Sequence, residues 1–110
     1  MNIGVNKLKK YLVLFLILFS LNINILKADS KMEMGLEVYN NKAMCGACHV
    51  LSVTGSTGKI GPNLDDLKPQ ISQIILAVTN GIGVMPAFEG MLTFEEIEAV
   101  AYFVSTSSNK

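Results

Sequence analysis

The chain has 110 residues and contains no tryptophan, no arginine, a single histidine and only two cysteines. These shortages exclude some kinds of site. Structural zinc takes four ligands in a tetrahedron, whereas Cys45, Cys48 and His49 are the only thiol or imidazole ligands in the chain. A zinc site built from them is therefore one ligand short. Both cysteines lie in one short motif, so no odd thiol remains outside it.

Acidic residues are confined to the part of the chain after residue 28. The formal net charge is zero, but four of the nine lysines lie within the first 28 residues and all nine acidic residues follow them. Residues 29–110 therefore carry five lysines against nine acidic residues, a net charge of −4. This surface argues against nucleic acid or anionic lipid as a partner and suits a partner protein with a basic docking patch. The alternative is that the acidic residues only keep a small protein soluble.

The first 28 residues have the pattern of an export signal. Three lysines precede an apolar run over 11–21, the charged and then hydrophobic order of a signal peptide. The apolar stretch falls short of the roughly 20 residues that span a bilayer comfortably. We therefore predict cleavage after Ala28 and a periplasmic mature protein. Because Leu26, three residues before the cut, is not small, an uncleaved membrane anchor is the alternative.

Residues 29–110 then form one small domain of 82 residues. At this size an apolar core alone supplies only about 3–5 kcal/mol of net stability. A large apolar cofactor around which a few short helices bury their inner faces would fill the centre of such a domain.

The most informative segment is 45–49, which reads Cys-Gly-Ala-Cys-His. On a helical turn, Cys45, Cys48 and His49 stand at i, i+3 and i+4, so both thiols and the imidazole emerge from one face. The thiols are placed to add to the two vinyl groups of a haem, and the imidazole next to the second one can bind the iron. The motif therefore predicts one covalently attached haem c, with its iron.

Two other interpretations of the cysteine pair remain open at this stage. The pair can form a disulfide in an exported protein, or it can act as a thioredoxin-like redox pair. The redox pair expects a preceding strand and a βαβ setting, and neither is indicated by the sequence. The histidine that follows the second cysteine favours the haem.

Helical periodicity predicts a first helix over about 31–42. Ser30 and Glu33 have the spacing of a capping box, which satisfies free N–H groups at a helix start. Gly35 offers a place where another helix can approach closely. The apolar stripe of this helix consists of Met32, Leu36 and Tyr39.

Two further helices are predicted after the motif. Gly and Pro residues over 52–63 indicate a loop without helix or strand, followed by a short helical segment over 65–68. The second helix starts at Pro69 and ends near Thr79. The third starts at a capping box formed by Thr93 and Glu96 and ends near Ser105, with a frayed tail behind it. Its apolar face consists of Phe94, Ile97, Val100, Ala101, Phe103 and Val104, and that of the second helix consists of Ile71, Ile74, Ile75 and Val78.

A second irregular stretch lies over 81–86 and ends in Met85-Pro86. Proline disfavours the α conformation in the residue before it. We therefore expect Met85 in an extended segment, from which its thioether points inward.

In this order, the parts resemble a class I cytochrome c of the short, soluble, monohaem bacterial type. The resemblance rests on the Cys-x-x-Cys-His motif, on Gly-Pro-Asn-Leu over 61–64, on Val-Met-Pro-Ala-Phe over 84–88 and on the closing helix. It covers nearly all of residues 29–110. The fold it implies is all-α, with three to five short helices wrapped around one covalently attached haem.

The resemblance also implies roles for individual residues. Cys45 and Cys48 would form the thioether bonds, and His49 and Met85 would be the axial ligands of the iron. The backbone carbonyl of Pro62 would accept the Nδ1–H of the His49 ring, as a group next to a metal ligand commonly does. Two contacts of the first helix with the last are implied as well, from Gly35 and Tyr39 to Val100 and Phe103. Met91 is the rival sixth ligand, less favoured because no proline follows it.

A monomeric, periplasmic one-electron carrier between respiratory or dehydrogenase partners is the function that this resemblance implies. With two axial ligands, no position on the iron is open to a substrate, so we expect no enzymatic activity. The alternatives are a haem enzyme or gas-binding protein with a labile sixth ligand, and a dedicated cytochrome subunit of one periplasmic dehydrogenase. Against a haem enzyme, the sequence has no second histidine and no arginine that could assist O–O cleavage.

Overall fold

The computed structural model describes residues 2–110, apart from the side chains of residues 2, 3, 22 and 23. Its contacts divide the chain into one unit that ends at Ser30 and a second that covers Lys31–Lys110. The helices are α1 (Asn2–Glu37), α2 (Leu64–Leu67), α3 (Ile71–Asn80) and α4 (Phe94–Ser108), and the two strands are β1 (Val50–Leu51) and β2 (Ser56–Thr57). A π-helical turn (Val38–Lys42) continues α1, and two 3₁₀ turns cover Cys45–Ala47 and Ser52–Thr54.

The first unit is helical and apolar. The large apolar side chains that the structure describes in this unit, from Val5 to Leu26, are more than half exposed. Within the described residues, Gly4–Lys42 is the one helix whose length and composition would allow it to cross a membrane. An export signal near an N-terminus contains an apolar helix that passes the same test, so this helix fits both interpretations of the leader.

The predicted capping box at Ser30 is wrong for the chain as it stands. Ser30 lies inside α1, which begins at Asn2. A capping side chain is needed only where N–H groups have no carbonyl one turn earlier. Here the preceding helical residues supply those carbonyls, so Ser30 and Glu33 have no helix start to cap.

The core of the second unit forms where the end of α1 packs against α4. The Tyr39 and Phe103 rings meet edge to face with their centroids 5.9 Å apart, as the resemblance implied. Gly35 lies against the Ala99 carbonyl and the Phe103 side chain so closely that a Cβ at residue 35 would overlap both. The remaining core residues are Val38, Leu51, Leu64, Ile74, Val78, Leu92, Ile97, Val100, Ala101 and Val104.

Three residues of the predicted apolar stripes are exposed instead of buried. Leu36 is 40 % exposed, and Val38, which was not expected to be buried, is fully buried in its place. Val38 lies three residues after Gly35, which contacts α4, so Val38 continues the same face of the helix. Phe94, the first residue of α4, is 66 % exposed, and Ile71, the first residue of α3, is 41 % exposed. Each is the first residue of its helix and lies three residues before the first buried residue of that helix.

The segment after the motif is more regular than predicted. Val50 pairs with Thr57 and Leu51 with Ser56, in a short antiparallel ladder. The prediction of a loop without strand over 52–63 is therefore wrong at residues 56 and 57. Gly55, with φ of 72°, reverses the chain between the two strands, so a glycine that was taken as a strand breaker serves as the turn of a small hairpin.

Helix α3 begins two residues later than predicted. Pro69 is buried and precedes the helix, and Gln70 is the N-cap residue, whose backbone N–H donates to Gln73 Oε1 at 2.9 Å. The Gln73 side chain therefore satisfies the backbone N–H of Gln70, which has no carbonyl partner within the helix. The predicted short helical segment near 65–68 is confirmed as α2.

Helix α4 begins as predicted and ends later. The Thr93 hydroxyl accepts from Glu96 N at 3.2 Å, and Glu96 Oε2 accepts from Thr93 N at 2.9 Å. The predicted capping box is thus confirmed. The helix continues to Ser108, and both Ser107 and Ser108 are buried, so the predicted fraying from residue 106 is wrong for these residues.

A salt bridge connects the start of α4 to the first helix. Lys42 Nζ donates to Glu96 Oε1 across 54 residues of sequence. The hydrogen bond from Lys42 holds the pKa of the Glu96 carboxyl below its ordinary value. Glu96 therefore caps its own helix with one oxygen and binds the end of the first helix with the other.

Substitution of Thr93 by alanine removes the hydroxyl that accepts from Glu96 N. We expect Thr93→Ala to lower the free energy of unfolding by about 1 kcal/mol, measured by urea denaturation of the haem-loaded protein. Thr93→Ser keeps the hydroxyl and should retain most of the stability. Equal losses for both variants would contradict the capping role.

Candidate haem site

The Cys-x-x-Cys-His segment forms one tight helical turn. Met44 adopts the left-handed conformation with φ of 50° and starts the 3₁₀ turn Cys45–Ala47. The Cys45 carbonyl then accepts from two N–H groups, that of Cys48 at 3.1 Å and that of His49 at 3.0 Å. The segment therefore forms the helical turn that was expected for the two cysteines and the histidine.

Both cysteines are present as separate thiols and are half-buried. Cys45 packs against the core cluster, and burial raises the pKa of its thiol to about 11. At neutral pH Cys45 therefore stays protonated. A disulfide, one of the interpretations that the sequence left open, is not formed in this structure, so both sulfur atoms are available for thioether bonds.

The His49 ring is held by the loop that follows the hairpin. Its Nδ1 lies 2.7 Å from the carbonyl oxygen of Pro62. Since that oxygen can only accept, the ring Nδ1–H donates and Nε2 keeps its lone pair, the arrangement found in ligating histidines. The neighbouring Gly61 lies flat against the ring: a Cβ at residue 61 would stand 2.8 Å from Nδ1 and 2.9 Å from Nε2. Gly61 N also donates to the Cys48 carbonyl at 2.7 Å.

Two interactions that the sequence did not indicate hold this loop in place. The Asn63 side chain caps α2 by accepting from Asp65 N at 2.9 Å and Asp66 N at 3.3 Å. The Asp65 carboxylate accepts from the backbone N–H of Ser52 at 2.8 Å and from its hydroxyl at 2.5 Å. These bonds lower the pKa of Asp65. The loop that carries Pro62 is therefore fixed at both ends.

A buried tyrosine lies behind the motif. The Tyr39 hydroxyl is 2.9 Å from Ser56 Oγ, which also accepts from Leu51 N at 3.1 Å and from the Thr54 hydroxyl at 2.9 Å. Burial raises the pKa of Tyr39, so the phenol stays neutral. The network connects the first helix to the hairpin next to the motif.

Met85 lies in a tight turn after α3. Ile82 N donates to the Met85 carbonyl at 3.1 Å, and Met85 N donates to the Ile82 carbonyl at 2.9 Å. Phe88 N donates to the Val78 carbonyl at 2.8 Å, which ties the segment after Met85 to α3. The extended, bridge-like conformation predicted from Pro86 agrees with this pairing.

The two candidate methionines differ in their surroundings. Met85 is half-buried and packs against the core cluster. Met91 is 71 % exposed and precedes α4. A buried thioether can reach a cofactor inside the domain, whereas the surroundings of Met91 are those of a surface residue.

The donor set fits a haem better than a bare metal ion. In the described part of the chain, no three His, Cys, Asp or Glu side chains are grouped so that they could hold a metal ion. Two free thiols, an imidazole with its Nε2 available and a half-buried thioether are the groups that a haem c requires. Large apolar side chains next to these groups in sequence are also exposed, at 71 % for Ile60, 68 % for Ile82 and 86 % for Val84, as expected where an apolar group covers part of the surface.

Comparison with known proteins identifies the family of the chain. Residues 30–104 match the family model described as cytochrome C oxidase, cbb3-type, subunit III. The chain is 36 % identical over 80 residues to cytochrome c6 from Leptolyngbya boryana, covering 69 % of this chain and 92 % of the relative. It is 36 % identical over 72 residues to cytochrome c6 from Microcystis aeruginosa, covering 62 % and 89 %.

A solved structure is similar as well. The crystal structure of the c-type cytochrome SorU from Sinorhizobium meliloti superimposes with a TM-score of 0.69 at 48 % identity, covering 74 % of this chain and 95 % of that one. The chain therefore belongs to the cytochrome c family that this model and these relatives represent, as a small class I monohaem electron carrier with a covalently bound haem c.

Proposed function

We propose that this protein is a periplasmic one-electron carrier whose haem is attached through Cys45 and Cys48 and whose iron is bound by His49 and Met85. The observation that carries the proposal is the hydrogen bond between His49 Nδ1 and the Pro62 carbonyl, at 2.7 Å. In the neutral ring it leaves Nε2 with a free lone pair, as in histidines that bind a metal.

Each side chain has a distinct task in this proposal. The two thiols anchor the cofactor on one helical turn. His49, made more basic by its hydrogen bond to Pro62, is a strong axial donor. Met85 supplies a soft thioether, which favours the reduced metal and raises the redox potential relative to a second imidazole. When bound, the haem iron supplies a centre that gains and loses one electron.

The proposal excludes catalysis at the metal. With His49 and Met85 both bound, the protein leaves no position for a substrate or a diatomic gas. The sequence also supplies no second histidine and no arginine, the groups that would assist O–O cleavage on the open side. Electron exchange with a partner protein is then the remaining activity.

The surface next to the ligands suits brief contacts with a redox partner. Ala47, Val84 and Ala87 adjoin the attachment turn and Met85 in sequence, and all three are exposed. Small apolar contact areas of this kind are typical of weak electron-transfer encounters. The acidic domain, with a net charge of −4 over residues 29–110, complements a partner with a basic docking patch.

The Met85→Ala variant tests the axial ligand. We expect its haem to stay covalently attached, while the redox potential falls and the reduced protein binds carbon monoxide. The far-red charge-transfer band that a methionine ligand gives the ferric protein should disappear. Absorption spectra and a redox titration measure these changes. Met91→Ala is the matched control and should leave band and potential unchanged; the reverse result would transfer the ligand role to Met91.

Export should yield a mature chain of residues 29–110. We expect the periplasmic fraction to contain a protein that begins at Asp29 and carries the mass of one haem, measured by intact mass spectrometry. After this cleavage Ser30 stands at a free helix start, where it can form the capping box with Glu33 that the longer helix prevents. Recovery of the full-length chain in the membrane fraction would instead support the uncleaved anchor.

The net negative charge of residues 29–110 should affect the rates at which the protein transfers electrons to charged oxidants. At low salt, we expect a cationic one-electron oxidant to react with the reduced protein faster than an anionic oxidant of similar potential. The difference should shrink as ionic strength approaches about 0.15 M, where the screening length is about 8 Å. Stopped-flow rates over a salt series measure it, and equal rates at low salt would contradict a basic docking partner.

A further inference from the structure

A glycine joins the end of α3 to the turn that carries Met85. Gly81 has φ of 73° and ψ of 163°, a backbone conformation that residues with a side chain adopt only with strain. Its N–H donates to the Ala77 carbonyl at 2.8 Å, which closes the last turn of the helix. The backbone conformation at the end of α3 is therefore one that glycine adopts readily and other residues do not.

The ligand segment folds back onto this glycine. A Cβ at residue 81 would lie 2.6 Å from the Met85 carbonyl oxygen, 2.9 Å from Ala87 N and 3.0 Å from the carbonyl carbon of Pro86. All three are backbone atoms, so no side-chain rotation can relieve the overlap. A side chain at residue 81 would have to push away the peptide groups on both sides of Pro86.

The rest of the turn leaves the segment little freedom to adjust. Met85 is paired in both directions with Ile82, and three residues later Phe88 N is bound to the Val78 carbonyl at 2.8 Å. Displacement at Met85 would therefore have to break or lengthen one of these bonds. Because the Met85 backbone is the point from which the thioether extends, a shift of that backbone changes the position that the sulfur can reach.

We infer that Gly81 is a positioning residue for the sixth ligand: its lack of a side chain lets the Met85–Ala87 backbone rest on the end of α3 and sets the reach of the Met85 sulfur. The inference deepens the proposed function and rests on Met85 being the ligand. It predicts that the strength of the iron–sulfur bond depends on a residue that touches neither haem nor sulfur.

Gly83 provides a matched control within the same turn. Its φ of 56° is also positive, yet a Cβ at this position would meet no atom within 4 Å. Both substitutions, Gly81→Ala and Gly83→Ala, place a side chain on a backbone with positive φ. Only the first also creates a collision with the ligand segment.

The experiment compares both variants with the wild type as purified, haem-loaded proteins. We expect Gly81→Ala to keep covalent haem but to lose most of the far-red methionine band, bind carbon monoxide when reduced and have a lower redox potential. Gly83→Ala should keep band and potential. Urea denaturation in parallel separates a loss of stability from a loss of the ligand, since a purely structural role would change the first and not the band.

Each other outcome overturns the inference. Retention of the band in Gly81→Ala means that the contact does not position the ligand. Equal loss of the band in both variants assigns the effect to backbone strain and not to the collision. Absence of folded, haem-loaded Gly81→Ala, with Gly83→Ala intact, gives Gly81 a role in the whole fold. Met85→Ala, measured alongside, tests the proposed function separately: a band that persists in it refutes Met85 as the ligand.

Discussion

The hydrogen bond between the His49 ring and the Pro62 carbonyl is the interaction on which the arrangement of the site depends. It joins two segments that are 13 residues apart, and much of the structure between them serves to bring the two groups together. The hairpin of β1 and β2 reverses the chain, Gly61 permits flat contact with the ring, and Asp65 binds Ser52 at the base of the loop. A weakened loop would release the imidazole before it disturbed the core.

Met85, the proposed sixth ligand, is held in another way. Met85 stands on a turn fixed by backbone hydrogen bonds to the end of α3, and Phe88 and Leu92 anchor that turn to the core. Of the two proposed iron ligands, His49 is therefore held by the hydrogen bond that its ring donates to a loop, and Met85 by a short backbone hairpin. Because both supports are local, the proposed ligation would need little movement of the two side chains when the oxidation state changes.

The sequence predicted features whose partners are close along the chain. The Thr93 capping box is correct because its two halves are three residues apart and no helix precedes it, whereas the Ser30 box has the same pattern but lies inside a longer helix. Val38 lies on the buried face that Gly35 and Tyr39 also occupy, whereas the predicted stripe placed Leu36 there. The bond between Ser52 and Asp65 needs the folded loop before the two residues meet. The sequence therefore predicted donor groups for the site and the bond from His49 to Pro62, and it missed the contacts that hold the loop around Pro62.

The exposed apolar residues of the domain follow from the same chemistry. A chain of this size gains little net stability from its own core, and here the core is formed mainly by the contacts of α4 with α2, α3 and the end of the first helix. Ile60 and Ile82, beside the two ligand segments, are each more than two thirds exposed, which would be costly in a protein that folded without a cofactor. The proposed attachment at Cys45 and Cys48 would keep an apolar partner beside this surface. The haem thus completes the fold as well as supplying the redox centre.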